Sequence, residues 1–145
     1  MNEKQSNKNK QIVKEYTEKI INTGITDSIT NYISEDYIEI FNNKKYQLGL
    51  DGAIEHIKGV RETYPDLELL IDNQIAEGEW VATCYTMKGT HLGEWLGIKP
   101  TGKKIEVTGV NIDRIVDEKI VEHSGAANLF NALLDIEAIK IVKKE

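Results

Sequence analysis

Two β-branched-rich runs, residues 107–116 and 119–127, are separated only by Asp117 and Glu118. A two-residue polar spacer between extended runs marks an antiparallel hairpin, and strands this long leave few folds open. The turn also sets a register. If Val116 pairs with Lys119, then Asp113 faces Glu122, Ile112 faces His123 and Asn111 faces Ser124. One face then carries Val107, Gly109, Asn111, Asp113, Ile115, Ile120, Glu122, Ser124 and Ala126; the other carries Thr108, Val110, Ile112, Arg114, Val116, Val121, His123 and Gly125. The first face is polar in its middle, so it meets water or lines a wet cavity, and periodicity leaves both readings open.

Residues 67–76 and 80–90 read as two more strands, joined by Glu77-Gly78 and followed by a glycine-punctuated loop, 93–102, after which the first strand of the hairpin runs from Lys104 to Val116. Short connections make all four strands antiparallel neighbours. Upstream the period changes. Ile12, Val13, Tyr16, Ile20 and Ile21 mark an amphipathic helix from about Asn9 to Asn22, ended by Gly24. Asp27 is placed to cap a short helix holding Ile29, Tyr32 and Ile33; residues 36–41 read as a short strand, and Asn42 to Lys45 as a turn. Asp51 opens a third helix with Ile54, Ile57, Val60 and Tyr64 at helical spacing, stopped by Pro65, and residues 129–139 give a terminal helix. Helices followed by a meander predict an α+β domain over residues 9–145, its sheet curved into a cone around the helices, with a polar, flexible tail over residues 1–8. The open end of such a cone is a preformed pocket.

With 145 residues the chain has room for one core. Its net charge of -6, from 18 basic and 24 acidic residues, offers no basic stripe for DNA or RNA. Cys84 is the only cysteine, which excludes an intrachain disulfide and a cysteine-based zinc site, and it reads as a small strand residue. The three histidines, His56, His91 and His123, have no metal-ligand spacing. No apolar run of 18 residues and no apolar leader core occur, so a soluble, cytoplasmic protein is expected.

The blocks Gly89-Thr90-His91-x-Gly93-Glu94-Trp95-Leu96-Gly97-Ile98-x-Pro100-Thr101-Gly102, Thr108-Gly109-Val110-x-Ile112-x-Arg114-Ile115 and Lys119-Ile120-Val121-Glu122-His123 stand together at matching spacing. With Tyr64-Pro65-Asp66-Leu67, they make the chain resemble the SnoaL-like polyketide cyclase (ester cyclase) family of the nuclear transport factor 2-like superfamily, over about Ile12 to Leu134. The resemblance implies a cone-shaped α+β barrel, no cofactor, a homodimer, and intramolecular aldol ring closure of a small carbonyl compound by acid–base chemistry. The family commonly follows Glu-His with Trp, and then, four residues on, with an Asp taken as the acid/base residue. Ser124 and Asn128 occupy those places here, and Asn cannot take a proton at neutral pH. The family's usual His after Asp36-Tyr37 is also absent. Ser124 in place of Trp implies a larger pocket.

His123 is the leading acid/base candidate, since imidazole titrates near neutrality, although the expected register puts it among Val110, Ile112 and Val121 on the opposite face from Asn111. Asp113 and Glu122, facing each other, form a candidate carboxylate pair sharing a proton. Asn111, Ser124 and Asn128 are candidate hydrogen-bonding residues for a ligand, Asn128 being equally suited to cap the terminal helix. Tyr16, Tyr32 and Tyr85 are placed to project hydroxyls into the cone, and His91 and Trp95 to shape its mouth. His56 falls on the wet side of its helix. The expected ligand is a small, mostly apolar organic molecule, and the expected partner a second copy docked on the face of Val110, Ile112 and Val121. A non-catalytic binding module, or a hydrolase or isomerase on the same scaffold, is the alternative reading.

Overall fold

The computed structural model describes residues 2–144. Its order is α1 (Glu3–Tyr16), a π-helical turn (Thr17–Ile21), a 3-10 turn (Ile29–Asn31), β1 (Ile33–Phe41), β2 (Lys44–Gln47), α2 (Gly49–Thr63), β3 (Glu68–Glu77), β4 (Trp80–Thr90), β5 (Lys104–Val116), β6 (Lys119–Asn128) and α3 (Phe130–Asp135). All six strands join one sheet in the order β2-β1-β6-β5-β4-β3. Only β1 and β6 run parallel; every other pair is antiparallel. The result is the expected α+β cone, with the helices inside the curve of the sheet.

Three upstream elements differ from expectation. Helix α1 starts at Glu3, where a tail was expected, because Asn2 caps it by accepting the Lys4 amide at 3.1 Å. Asn9 then donates to the Gly78 carbonyl at 3.0 Å, and Lys8 pairs with Glu118, which ties this polar turn to the sheet. The expected second helix shrinks to the turn at Ile29, because the chain from Tyr32 onward is drawn into the sheet: Ile120 N–H donates to the Tyr32 carbonyl at 2.7 Å. The short strand β2 was not expected, since all its residues are exposed and lack apolar alternation. Its turn was legible, because Asn42 and Asn43 take φ of 48° and 60°, as a two-residue hairpin requires.

The decisive difference is in the β5–β6 register. Val116 pairs with Lys119 and Ile115 with Ile120 as expected, but the next pair is Arg114 with Glu122. Val121 is therefore an extra residue, a β-bulge, and every later pair moves by one: Asp113 faces His123, Ile112 faces Ser124, and Asn111 faces Gly125. The parallel β1–β6 ladder is interrupted at the same place, between Ile33 and Ile38. Both ladders thus bend together there.

The helices are held on the sheet by polar clamps as well as by the core of Val13, Ile20, Tyr37, Ile57, Val81 and Ile120. Arg61 of α2 donates through Nη1 to the Asn22 and Leu67 carbonyls, at 3.1 and 2.8 Å, and through Nη2 to the Pro65 carbonyl at 2.8 Å. The Asn22 side chain brackets Leu69 of β3, donating to its carbonyl at 3.0 Å and accepting its amide at 2.8 Å. Among the described residues, no helix is long and apolar enough to cross a membrane.

Because the Arg61 fork satisfies three carbonyls at once, Arg61→Ala is expected to cost about 2 kcal/mol or more in urea unfolding, with Arg61→Lys a poor rescue. Lys58→Ala, on the exposed face of the same helix, should stay within about 0.5 kcal/mol.

Candidate active site

Between the helices and the concave sheet lies a cavity of about 530 Å³, within the range that holds small organic ligands. Its wall is mainly apolar, with Ile33, Ile57, Val60, Leu67, Leu69 and Met87 among the lining residues. A polar group interrupts it, with Tyr16, Tyr37, Glu39, His56, Asn111, Asp113 and His123, and Asn42, Arg61 and Tyr85 also reach the wall.

Asp113 and His123 are cross-strand partners, and His123 Nδ1 lies 2.7 Å from Asp113 Oδ1. Asp113 is almost fully buried, its side chain 5% exposed, whereas the His123 side chain is 28% exposed and reaches the cavity. Burial alone would lower the His123 pKa, but the charge of Asp113, the hydrogen bond to it and the charge of Glu39 outweigh burial and hold it above the ordinary imidazole value. When neutral, an imidazole that donates Nδ1–H to the carboxylate presents the Nε2 lone pair on its other side. That is the arrangement of a base with an orienting partner.

Glu39 stands beside His123 on the neighbouring strand β1. Its Oε2 lies 3.2 Å from Nδ1 of His56, which reaches over from α2 and is half exposed. The hydrogen bond from His56, opposed by burial and helped by the charges of His56 and His123, holds the Glu39 carboxyl below the usual range. The cavity therefore contains two carboxylate–imidazole pairs side by side. The Tyr16 and Tyr37 phenols join them. Burial first, and then nearby Asp113 and Glu39, push both phenol pKa values well up, so both remain protonated hydrogen-bond donors at any ordinary pH.

Two glycines make room on the inner face. A Cβ on Gly109 would come within 2.4 Å of Tyr85 Oη and 2.8 Å of the Ala126 carbonyl, so the hydroxyl end of Tyr85 occupies the space over that position. A Cβ on Gly125 would come within 2.5 Å of Asn111 Oδ1. Tyr85 and Asn111 thus line the cavity without filling it.

Several expected site residues lie elsewhere. Glu122 does not face Asp113. The bulge puts it opposite Arg114, whose Nη1 lies 3.5 Å away, and Lys45 lies at 3.4 Å, so Glu122 is an ion-pair residue of the outer surface. Ser124 pairs with Ile112 on that outer side and does not line the cavity, so its small size does not enlarge it. Asn128 is opposite Thr108, in a shallow groove with Asp72, Cys84 and Val110, and it does not cap α3. Tyr32 donates to Glu15 at 3.3 Å and packs on Tyr16 within the core. His91 is fully buried, with Nδ1 3.0 Å from Thr101 Oγ1; it and Trp95 pack on Tyr64, shaping the loop and not the cavity wall.

Tyr37, Glu39 and His56 were not foreseen as site residues. Tyr37 and Glu39 are two apart on a strand and so share a face. His56 continues the stripe of Ala53, Ile57 and Val60 on α2, the signal that could have turned it inward.

Residues 11–136 match the family model for SnoaL-like polyketide cyclases, and the chain belongs to that family. It is 32% identical over 104 residues to nogalonic acid methyl ester cyclase of Streptomyces nogalater, covering 70% of this chain and 78% of that protein. It is 29% identical, over 70% of this chain and 72% of the other, to the aklanonic acid methyl ester cyclase AcmA of Streptomyces galilaeus. Among solved structures, AclR of Streptomyces galilaeus superposes with a TM-score of 0.81 at 26% identity, covering 96% of this chain and 87% of that one.

The His123 pKa, followed by NMR, is expected above the ordinary value of roughly 6.5 and should fall in Asp113→Asn. Since the folded value is the raised one, the pair's contribution to stability is complete below the unfolded value and fades as pH rises through the folded one. The stability advantage of the wild type over Asp113→Asn should accordingly be larger near about pH 5.5 than near about pH 9.

Proposed function

We propose that this protein is a cofactor-independent cyclase that closes a ring by intramolecular aldol addition in a small, mostly apolar ester carrying two carbonyl groups. The observation that carries this reading is the Asp113–His123 pair at the wall of an apolar cavity of about 530 Å³. Neutral His123 takes a proton through Nε2 from the carbon beside a carbonyl, and Asp113 orients the ring and stabilises the imidazolium formed. The enolate oxygen accepts hydrogen bonds from the Tyr16 and Tyr37 phenols, which are too weakly acidic to be deprotonated by it before they can donate. The enolate carbon attacks the second carbonyl, a carbon–carbon bond forms, and the new alkoxide takes up a proton. Net, one proton moves from carbon to oxygen. Asn111 and Tyr85 are the ligand-orienting residues.

The methyl esters in the names of the two relatives suggest the substrate class, and the apolar wall fits it. The reading differs from a pure binding module in requiring a base. On a methyl ester carrying a β-keto group and a second ketone, His123→Gln should lower kcat by about 10²–10⁴-fold with little change in thermal stability. Unchanged turnover in that variant would retire the assignment. Because the raised His123 value governs the free enzyme, kcat/KM should fall on the acid side, with an apparent pKa above the ordinary imidazole value.

The protein acts, on the same proposal, as a homodimer. The outer side of the sheet exposes Leu70, Ile75, Trp80, Val110 and Ile112 together, a wide apolar area for one small acidic chain. Sedimentation equilibrium at micromolar concentration is expected to give twice the chain mass, and Ile112→Glu to give the monomer.

A further inference from the structure

The aldol reading, on which this inference rests, leaves the source of the final proton open. We infer that His56, held by Glu39, is the second catalytic residue: the general acid that protonates the alkoxide formed on ring closure. Four observations place it there. His56 lines the same cavity as His123. Its Nδ1 is 3.2 Å from Glu39 Oε2, so, as with His123 and Asp113, a carboxylate fixes one ring nitrogen and leaves Nε2 for a ligand. Glu39 and His123 are neighbours across the β1–β6 ladder, so the row Asp113, His123, Glu39 runs over three adjacent strands with His56 above its end. Lastly, the His56 side chain is 52% exposed, against 28% for His123. The two imidazoles thus share one carboxylate between them but differ in access to water.

The difference suits opposite tasks. A base is better placed against the substrate in the apolar wall, and a donor that must be refilled is better placed where water reaches it. The proton count closes. His123 Nε2 gains the proton from carbon, His56 Nε2–H gives one to the alkoxide, and the product leaves as a neutral alcohol. His56 then takes a proton from water while His123 releases one, which restores the starting state with no other reactant. Glu39 does not touch the reacting atoms on this account; it is a positioning residue that orients His56 through the 3.2 Å contact.

The two half-reactions can be measured apart. In D₂O, enzyme-dependent deuterium uptake at the carbon between the carbonyls reports the base, and ring closure of the same β-keto methyl ester with a second ketone reports both steps. The expected result for His56→Gln is a ratio of exchange to ring closure at least about tenfold above wild type, with the alkaline limb of the kcat–pH profile lost. His123→Gln should lose both rates together. Glu39→Gln, by freeing the His56 ring, should raise the ratio of exchange to ring closure in the same direction while KM stays within about twofold, a change that a purely structural role would not cause. Circular dichroism on each variant separates these effects from misfolding. An unchanged ratio in His56→Gln, whether both rates persist or both fall, overturns His56 as the acid while leaving His123 in place. Exchange at the wild-type rate in His123→Gln, or no enzyme-dependent exchange in the wild type, overturns the aldol reading itself.

Discussion

One extra residue in β6 decides what the inside of this protein is. Strand side chains alternate, so a one-residue slip exchanges the two faces of everything beyond it. Without the bulge at Val121, Asp113 would meet Glu122 and His123 would face outward among aliphatic neighbours. With it, Asp113 meets His123 inside the cone, and Glu122 is released to Arg114 and Lys45 outside. Two carboxylates that would have repelled each other are each given a cationic or protonatable partner. The clamps from Arg61 and Asn22 tie α2 and the end of the first helix to the chain entering β3.

The electrostatics of the cavity follow from that placement. A buried carboxylate such as Asp113 is costly unless it is hydrogen-bonded or paired, and the imidazole of His123 meets this need at 2.7 Å. Burial first, and then the same negative charges, keep the Tyr16 and Tyr37 phenols protonated, because a phenolate in this poorly hydrated wall would meet both desolvation and repulsion. An apolar cavity therefore holds proton acceptors on the sheet, and proton donors on β1 and at the end of α1, against one another.

The four long strands, the α+β class and the family were legible because they are written in local periodicity, in turn residues such as Asp117-Glu118, and in blocks of motif. The strands β4 and β5 begin and end where alternation and turn chemistry place them. What was not legible had no local signal. A bulge such as that at Val121 leaves the composition of the strand unchanged, so the register could be extended from the turn only as far as Ile115 and Ile120. An unbulged register carries every candidate beyond that point to the wrong face, with His123 opposite to Asp113 and Ser124 on the side of Asp113. His56 is half exposed, as its own helix leads one to expect, and nothing local announces that it also lines the cavity; that depends on the approach of Glu39 from β1. The start of α1 at Glu3 depends likewise on a cap and on contacts with the Gly78 turn, not on apolar spacing.

The departure at Asn128 gains a physical meaning in this light. In the family pattern the acidic residue at that place follows the Glu-His pair on the last strand; here the place is exposed, opposite Thr108, outside the cavity. A carboxylate there could not reach a substrate held against His123. On the proposed reading the proton-accepting task lies earlier on the same strand, with an imidazole in place of a carboxylate and a buried Asp113 behind it. Such an exchange has a direction. A carboxylate base needs desolvation to raise its pKa toward neutrality, whereas an imidazole starts there and needs an anion to prevent burial from lowering it. The residues around His123 supply that anion twice, as Asp113 and as Glu39. Residue 128 is then free of the constraint that would have kept it acidic, and an exposed Asn is compatible with that freedom.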